Sequence, residues 1–271
     1  MTIAETTQPS IADLERACLT AVPTLRVGFD GPLVVRAFLG GTGRANAASS
    51  VSAAPAPELA ARIARIEAGY ERLGLPARFR STPLDPPSFS AALEARGYVT
   101  KDETIIFLAP IEAIASADAS VRVLTVPDAD WMAVTAKAEH QVPARRVEKE
   151  RAVCMMMVPA AWLVLYEAEK PLACISVVAD GPLAGFFDLA AVPEARQRGL
   201  ASRITRAAAD WARSPGGALA MGASGFRQSG FLRGAAKPRH AGSLSLCLYR
   251  QAAGQGRGIA LRVMAGAWAS A

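Results

Sequence analysis

Residues 188–201 pass from an apolar strand into a helix through Arg196-x-x-Gly199-x-Ala201, and no other stretch restricts the fold so tightly. Asp188, Leu189, Ala190, Ala191 and Val192 make the strand, and Gly199 lets the backbone come close to a ligand. A helix that starts at such a turn has first-turn N–H groups without intrahelical acceptors, and its dipole favours an anion there. Arg196 and Arg198 add positive charge. The following helix puts Ile204, Ala207, Ala208 and Trp211 on one face and Arg203, Arg206, Asp210 and Arg213 on the other, the spacing of an element packed on a sheet. Strand, anion turn and helix together read as a cradle for a pyrophosphate.

This arrangement resembles the hallmark of the GNAT superfamily of acyl-CoA-dependent N-acyltransferases. The resemblance implies an α/β (α+β) fold, a mixed and mostly antiparallel sheet flanked by helices. It also implies acetyl-CoA as co-substrate. By resemblance, Leu189, Ala190, Ala191 and Val192 would run along the pantetheine arm, and an N–H near Ala190 would face the thioester carbonyl. Arg196, Gln197, Arg198, Gly199, Leu200, Ala201 and Ser202 would surround the pyrophosphate. Asp188 stands where many members place an acidic residue that takes a proton from the amine; the competing reading is a salt-bridged strand carboxylate. Glu194 reads as a surface residue.

The rest of the second half agrees with that order of elements. Strands at 162–168, 172–178 and 183–192, separated by Glu169-Lys170-Pro171 and Asp180-Gly181-Pro182, form an antiparallel meander that feeds the turn. Asp128 is a good N-cap for a helix through Trp131 and Val134, and residues 145–153 read as a further helix. In the first half, a hairpin around Asp30-Gly31-Pro32 precedes an Ala/Ser/Pro-rich loop at 46–57. A helix with Leu59, Ile63, Ile66, Tyr70 and Leu73 on its buried side then ends at Gly74. Leu93-Glu94-Ala95-Arg96-Gly97-Tyr98 is similar to the segment that closes many GNAT domains, yet no phosphate turn precedes it. Thr42-Gly43-Arg44-Ala45-Asn46 resembles a segment of two-part GNAT proteins whose first half has lost cofactor binding. The expected organisation is two tandem halves: a degenerate half at 1–115, an acetyltransferase domain at 120–250 and a disordered tail at 251–271. Arg44 and Asn46 either reach the acceptor site or hold a loop.

A chain of 271 residues with 51% hydrophobic residues can bury such a core. Its net charge of +6 is scattered, with no basic run interleaved with aromatics, so a nucleic-acid partner is not expected. Cys18, Cys154, Cys174 and Cys247 lie far apart, and His140 and His240 lack companions at metal-ligand spacing, so no metal is expected. The longest apolar run, at 155–166, contains Pro159 and is too short to span a bilayer, which makes a cytoplasmic protein the expectation. Oligomeric state and acceptor have no signal.

The departure from the family pattern comes after Ser214. GNAT members end on a tyrosine that protonates the leaving thiolate, followed by Gly-Phe. One alignment here uses residues 226–231, which keep Gly230-Phe231 but have no tyrosine; the other uses Leu248-Tyr249, far from Trp211, and makes Tyr249 the candidate acid. Codons exist for residues 227–233 that, read one nucleotide later, spell Ala-Asn-Pro-Ala-Phe-Tyr-Ala, so a shifted reading frame is one account of the ending. Two functions follow: N-acetyl transfer to a primary amine, or acyl-CoA binding without turnover.

Overall fold

The computed structural model describes residues 9–138, 142–225, 244–251 and 258–265; for residues 100–103, 105, 224–225, 244–251 and 258–265 it gives the backbone path alone. Helix α1 (Ile11–Thr20) starts at Ser10, whose hydroxyl accepts from Asp13 N while the Asp13 carboxylate accepts from Ser10 N, a reciprocal cap. The hairpin β1 (Arg26–Asp30) and β2 (Leu33–Ala37) turns at Gly31, in the left-handed region at φ 60°. Helix α2 (Leu59–Arg72) buries Ile63, Ile66 and Tyr70. Strand β4 (Ala77–Ser81), helix α3 (Phe89–Glu94), strand β5 (Tyr98–Pro110) and the short α4 (Ile111–Ile114) follow.

The second part runs β6 (Val121–Leu124), α5 (Ala129–Ala136) capped by Asp128, and α6 (Pro143–Ala152). Then come β7 (Ala160–Glu167), β8 (Lys170–Asp180), β9 (Leu183–Ala191), α7 (Leu200–Arg213) and β10 (Leu219–Gly225). Strands β11 (Leu244–Gln251) and β12 (Gly258–Ala265) complete the order. With β3 (Ala48–Ser50), twelve strands form one mixed, mostly antiparallel sheet in the order β1-β2-β3-β4-β12-β11-β5-β10-β9-β8-β7-β6.

Three apolar clusters hold helices to the sheet. Ile204, Ala207, Ala208 and Ala212 of α7 and Trp131 and Val134 of α5 pack on β7 and β8. Ile63, Ile66 and Tyr70 of α2 pack with Phe79, Phe89 and Leu93. Leu14, Ala17 and Cys18 of α1 cross to Leu183, Phe187 and Met221, so the N-terminal helix covers β9 and β10 rather than the strands next to it in sequence.

Local signals missed some of these strands. Residues 46–57 read as loop, yet Ala48–Ser50 is a fully buried strand paired with β2 and parallel to β4; Ala-Ser-Ser has no strand periodicity, and its neighbours impose the conformation. Strand β10, rich in Gly and Ala, exists because β5 and β9 flank it on both sides. Gly258–Ala265, within the segment that composition reads as irregular, lies between β4 and β11.

Candidate functional site

The parallel ladder between β9 and β10 ends at Phe186 opposite Gly222, although β9 continues to Ala191 and β10 to Gly225. The two strands therefore part. On its other edge β9 stays paired to β8, but the register slips between Cys174 and Ser176, where Phe187 and Ala190 are the successive partners and Asp188 and Leu189 bulge out. Asp188 sits at φ 53°, a left-handed position that Asp tolerates better than most side chains. From Asp188 to Ala191 the β10-facing edge has no ladder partner among the described residues.

Beyond Val192, whose N–H donates to Leu172 O at 2.9 Å, a single 3₁₀ turn at Pro193–Ala195 leads to the bend. Gln197 and Gly199 both have positive φ, 61° and 77°, and Gln197, Arg198 and Gly199 are exposed. Left-handed positions separated by one residue, as at Gln197 and Gly199, are an element from which anion nests are built. Gly199 is the N-cap of α7 and offers no side-chain cap, and nothing lies within 4 Å of where its Cβ would be. An open helix N-terminus of this kind fits a phosphate. Its charge is partly neutralised: Arg198 pairs with Glu167 of β7, and Arg203 is held by Asp118 at 2.9 Å and Glu167 at 3.1 Å. Arg196 is exposed.

Asp188 is ion-paired to Lys149 of α6, and Ser176 Oγ lies 3.5 Å from its carboxylate. Burial pushes the Asp188 carboxyl upward, but the Lys149 ammonium, with Arg145 and Arg44 behind it, outweighs burial and holds it below the usual carboxylate value. Lys149 also stands 5.3 Å from the centre of the Trp131 ring, and Arg44 lies 5.3 Å over the ring of Phe187. Sequence reasoning named Asp188 but not Lys149, whose only local signal is its place on an amphipathic helix.

Arg44 reaches β9 because its loop is tied to α6. Glu148, 3% exposed, accepts from Leu39 N and Gly41 N at 2.9 Å, from Thr42 N, and from Asn46 Nδ2 at 2.9 Å. Asn46 Oδ1 in turn accepts from Phe38 N at 2.7 Å and Gly40 N at 2.9 Å. Asn46 thus holds a loop, one of its two expected roles, while Arg44 is carried to the neighbourhood of Asp188.

The Cys174 thiol, 3.2 Å from Thr135 Oγ1, is pushed up to about 12, chiefly by burial, which makes it a poor nucleophile. Tyr249 lies on β11 opposite Phe79 and Ala260, with β5 and β10 between its strand and β9. The backbone therefore does not bring Tyr249 beside Asp188, and residues 226–231 lie outside the described residues. Glu194 is exposed and faces Lys137 at 3.5 Å. Among the described residues no cluster of metal-binding side chains occurs, and no helix is long and apolar enough to cross a membrane.

The family model described as Probable histone acetyltransferase Rv0428c C-terminal matches residues 8–224. The chain belongs to this family. The match takes in the bulge, the bend and α7, and its last residue precedes both alternative endings. No curated protein matches the chain. Among solved structures, a GCN5-related N-acetyltransferase from Kribbella flavida is similar over 88% of this chain and 95% of its own, with TM-score 0.60 and 14% identity. A GNAT-family protein from Novosphingobium aromaticivorans is similar over 94% of this chain and 99% of its own, with TM-score 0.52 and 14% identity. A conserved protein of unknown function from Staphylococcus epidermidis covers 79% and 90%, with TM-score 0.55 and 11% identity. The fold is that of the GNAT superfamily, as the Arg196 to Ala201 motif implied.

Proposed function

We propose that the protein is an N-acetyltransferase of the cytoplasm that moves the acetyl group of acetyl-CoA to a primary amine. The observation that carries this reading is the unpaired edge of β9 running straight into the open N-terminus of α7. A pantetheine arm carries amide donors and acceptors and can complete the ladder at Leu189–Val192, while a pyrophosphate fits the N–H groups of residues 197–202. Acetyl-CoA supplies an acetyl group activated as a thioester.

The protein's own part is to position and to stabilise charge. By the GNAT resemblance, a backbone N–H at the bulge of Asp188 and Leu189 donates to the developing oxyanion; the N–H of Ala190 itself interacts with the Cys174 thiol. Asp188 is ionised throughout the neutral range and attracts the incoming ammonium; held low by Lys149, it is a weak proton acceptor, so the proton goes on to water. The amine nitrogen then forms the C–N bond as the C–S bond breaks. Of the two protons that leave the ammonium, one ends on the released thiol and one in solvent. Direct transfer agrees with the suppressed nucleophilicity of Cys174.

Calorimetric titration with acetyl-CoA tests the reading. Saturable binding is expected, weakened roughly tenfold or more by Arg196→Glu with Arg198→Glu. No binding by the intact protein, or undiminished binding by the double variant, would overturn it. A second reading, acyl-CoA binding without turnover, is favoured by the separation of Tyr249 from β9. Thiol release with an amine panel decides between them: binding without release supports the second.

A further inference from the structure

Three cations surround one carboxylate at the β9 bulge. Arg145 and Lys149 lie one turn apart on the same face of α6, and Lys149 is paired with Asp188. Arg44 arrives from the loop between β2 and β3, which packs so tightly on α6 that a Cβ on Gly41 would stand 2.4 Å from Arg145 N. Arg44 and Arg145 share Asp188 with Lys149, but among the described residues the one ion pair to Asp188 is that of Lys149, and Arg145 Nε is buried without a hydrogen-bond acceptor. Glu148 does not compensate them, since both its oxygens accept from the loop. Both arginines are half-buried, and the Arg145 Nε withdrawn from water carries an unmet N–H that a carboxylate ligand would satisfy. Beside Lys149 opens a cavity of about 190 Å³ between α5 and α6, walled mainly by Met132, Ala136, Val142 and Pro143, with Thr135 and Arg146 at its lining.

We infer that the acceptor carries its own carboxylate: it is a small amino acid-like amine, its ammonium towards Asp188, its carboxylate towards Arg44 and Arg145, and its apolar part in the α5–α6 cleft. This rests on the acetyl-transfer reading and names its substrate class. The same cations repel a lysine-rich protein tail. The first part of the chain thereby contributes directly to acceptor choice, through Arg44.

The test compares L-leucine, L-leucinamide, isopentylamine and oligolysine by thiol release at saturating acetyl-CoA. N-acetyl-L-leucine and N-acetyl-L-leucinamide are titrated separately into protein loaded with CoA. Leucine is expected to exceed leucinamide roughly tenfold in kcat/KM, although the amide's amine is less basic and so more available. N-acetyl-leucine is expected to bind tighter than its amide by a similar factor. Arg44→Gln and Arg145→Gln should each reduce both differences to about twofold with acetyl-CoA affinity retained, and Arg44→Lys, which keeps the charge but loses the guanidinium fork, should preserve more of them than Arg44→Gln. Equal or better performance of leucinamide, isopentylamine or oligolysine overturns the inference, as does failure of both acetylated probes to bind or a carboxylate preference that survives both Gln variants. Loss of acetyl-CoA binding by the unmodified protein would remove the acyl-transfer reading as well; acetyl-CoA binding without the preference removes this inference alone.

Discussion

At the scale of single residues the decisive pair is Asp188 with Lys149. Burial alone would raise the carboxyl of Asp188, and the ammonium reverses that, so the carboxylate stays charged in the bulge. A folded-state value below the unfolded one means that the pair stabilises the protein above pH ~4 and ceases to do so as pH falls through the lowered value. In catalysis the consequence is a pH profile. Asp188→Asn is expected to lower kcat/KM about a hundredfold, and Lys149→Met to move the acid limb of kcat/KM to higher pH, because it removes the charge that holds the carboxyl down. An acid limb that stays in place in Lys149→Met would show that some other group controls it.

Between elements, α6 and the loop at residues 39–46 act as one unit. Hydrogen bonds from neutral donors to a buried carboxylate are worth more than neutral pairs, and Glu148 accepts four of them. Glu148→Gln keeps the shape but places an amide N–H against backbone N–H groups. Chemical denaturation is expected to show a loss of about 2–3 kcal/mol, and hydrogen exchange should quicken at the amides of Leu39, Gly41 and Thr42. Exchange unchanged at those amides would mean that the loop is held by something other than Glu148. The bend before α7 needs no such partner, because Gly199 takes its left-handed conformation without strain.

Across the whole molecule, α1 links the two parts of the sheet. Its apolar face meets Leu183, Phe187 and Met221, while Glu15, 3% exposed, is ion-paired to Arg80 of β4, 2% exposed. Removing one partner of such a buried pair leaves an uncompensated charge. Leu14→Ala tests the link without touching charge: it should cost about 2–5 kcal/mol and shift a single unfolding transition, seen alike by the fluorescence of Trp131, Trp162 and Trp211 in a Trp268→Phe background, which reports the second part, and by far-ultraviolet dichroism, which reports all of it. Two separated transitions, with only one moved by the substitution, would show that α1 does not couple the parts.

What the chain determined by itself was local. The face of α7, the Asp128 cap, the glycine turns and the β7–β8–β9 meander follow from periodicity and capping within one turn or one strand, and the bend at Gly199 follows from a motif six residues long. What the tertiary structure decided was every relation between distant residues: Lys149 meeting Asp188 across 39 positions, Glu148 meeting Gly41 across 107, α1 lying on β9, and a strand made from Ala-Ser-Ser or from Gly and Ala. The physical reason is that period and cap are properties of neighbouring residues. A buried ion pair or a strand flanked on both sides exists only once the sheet has brought its partners together.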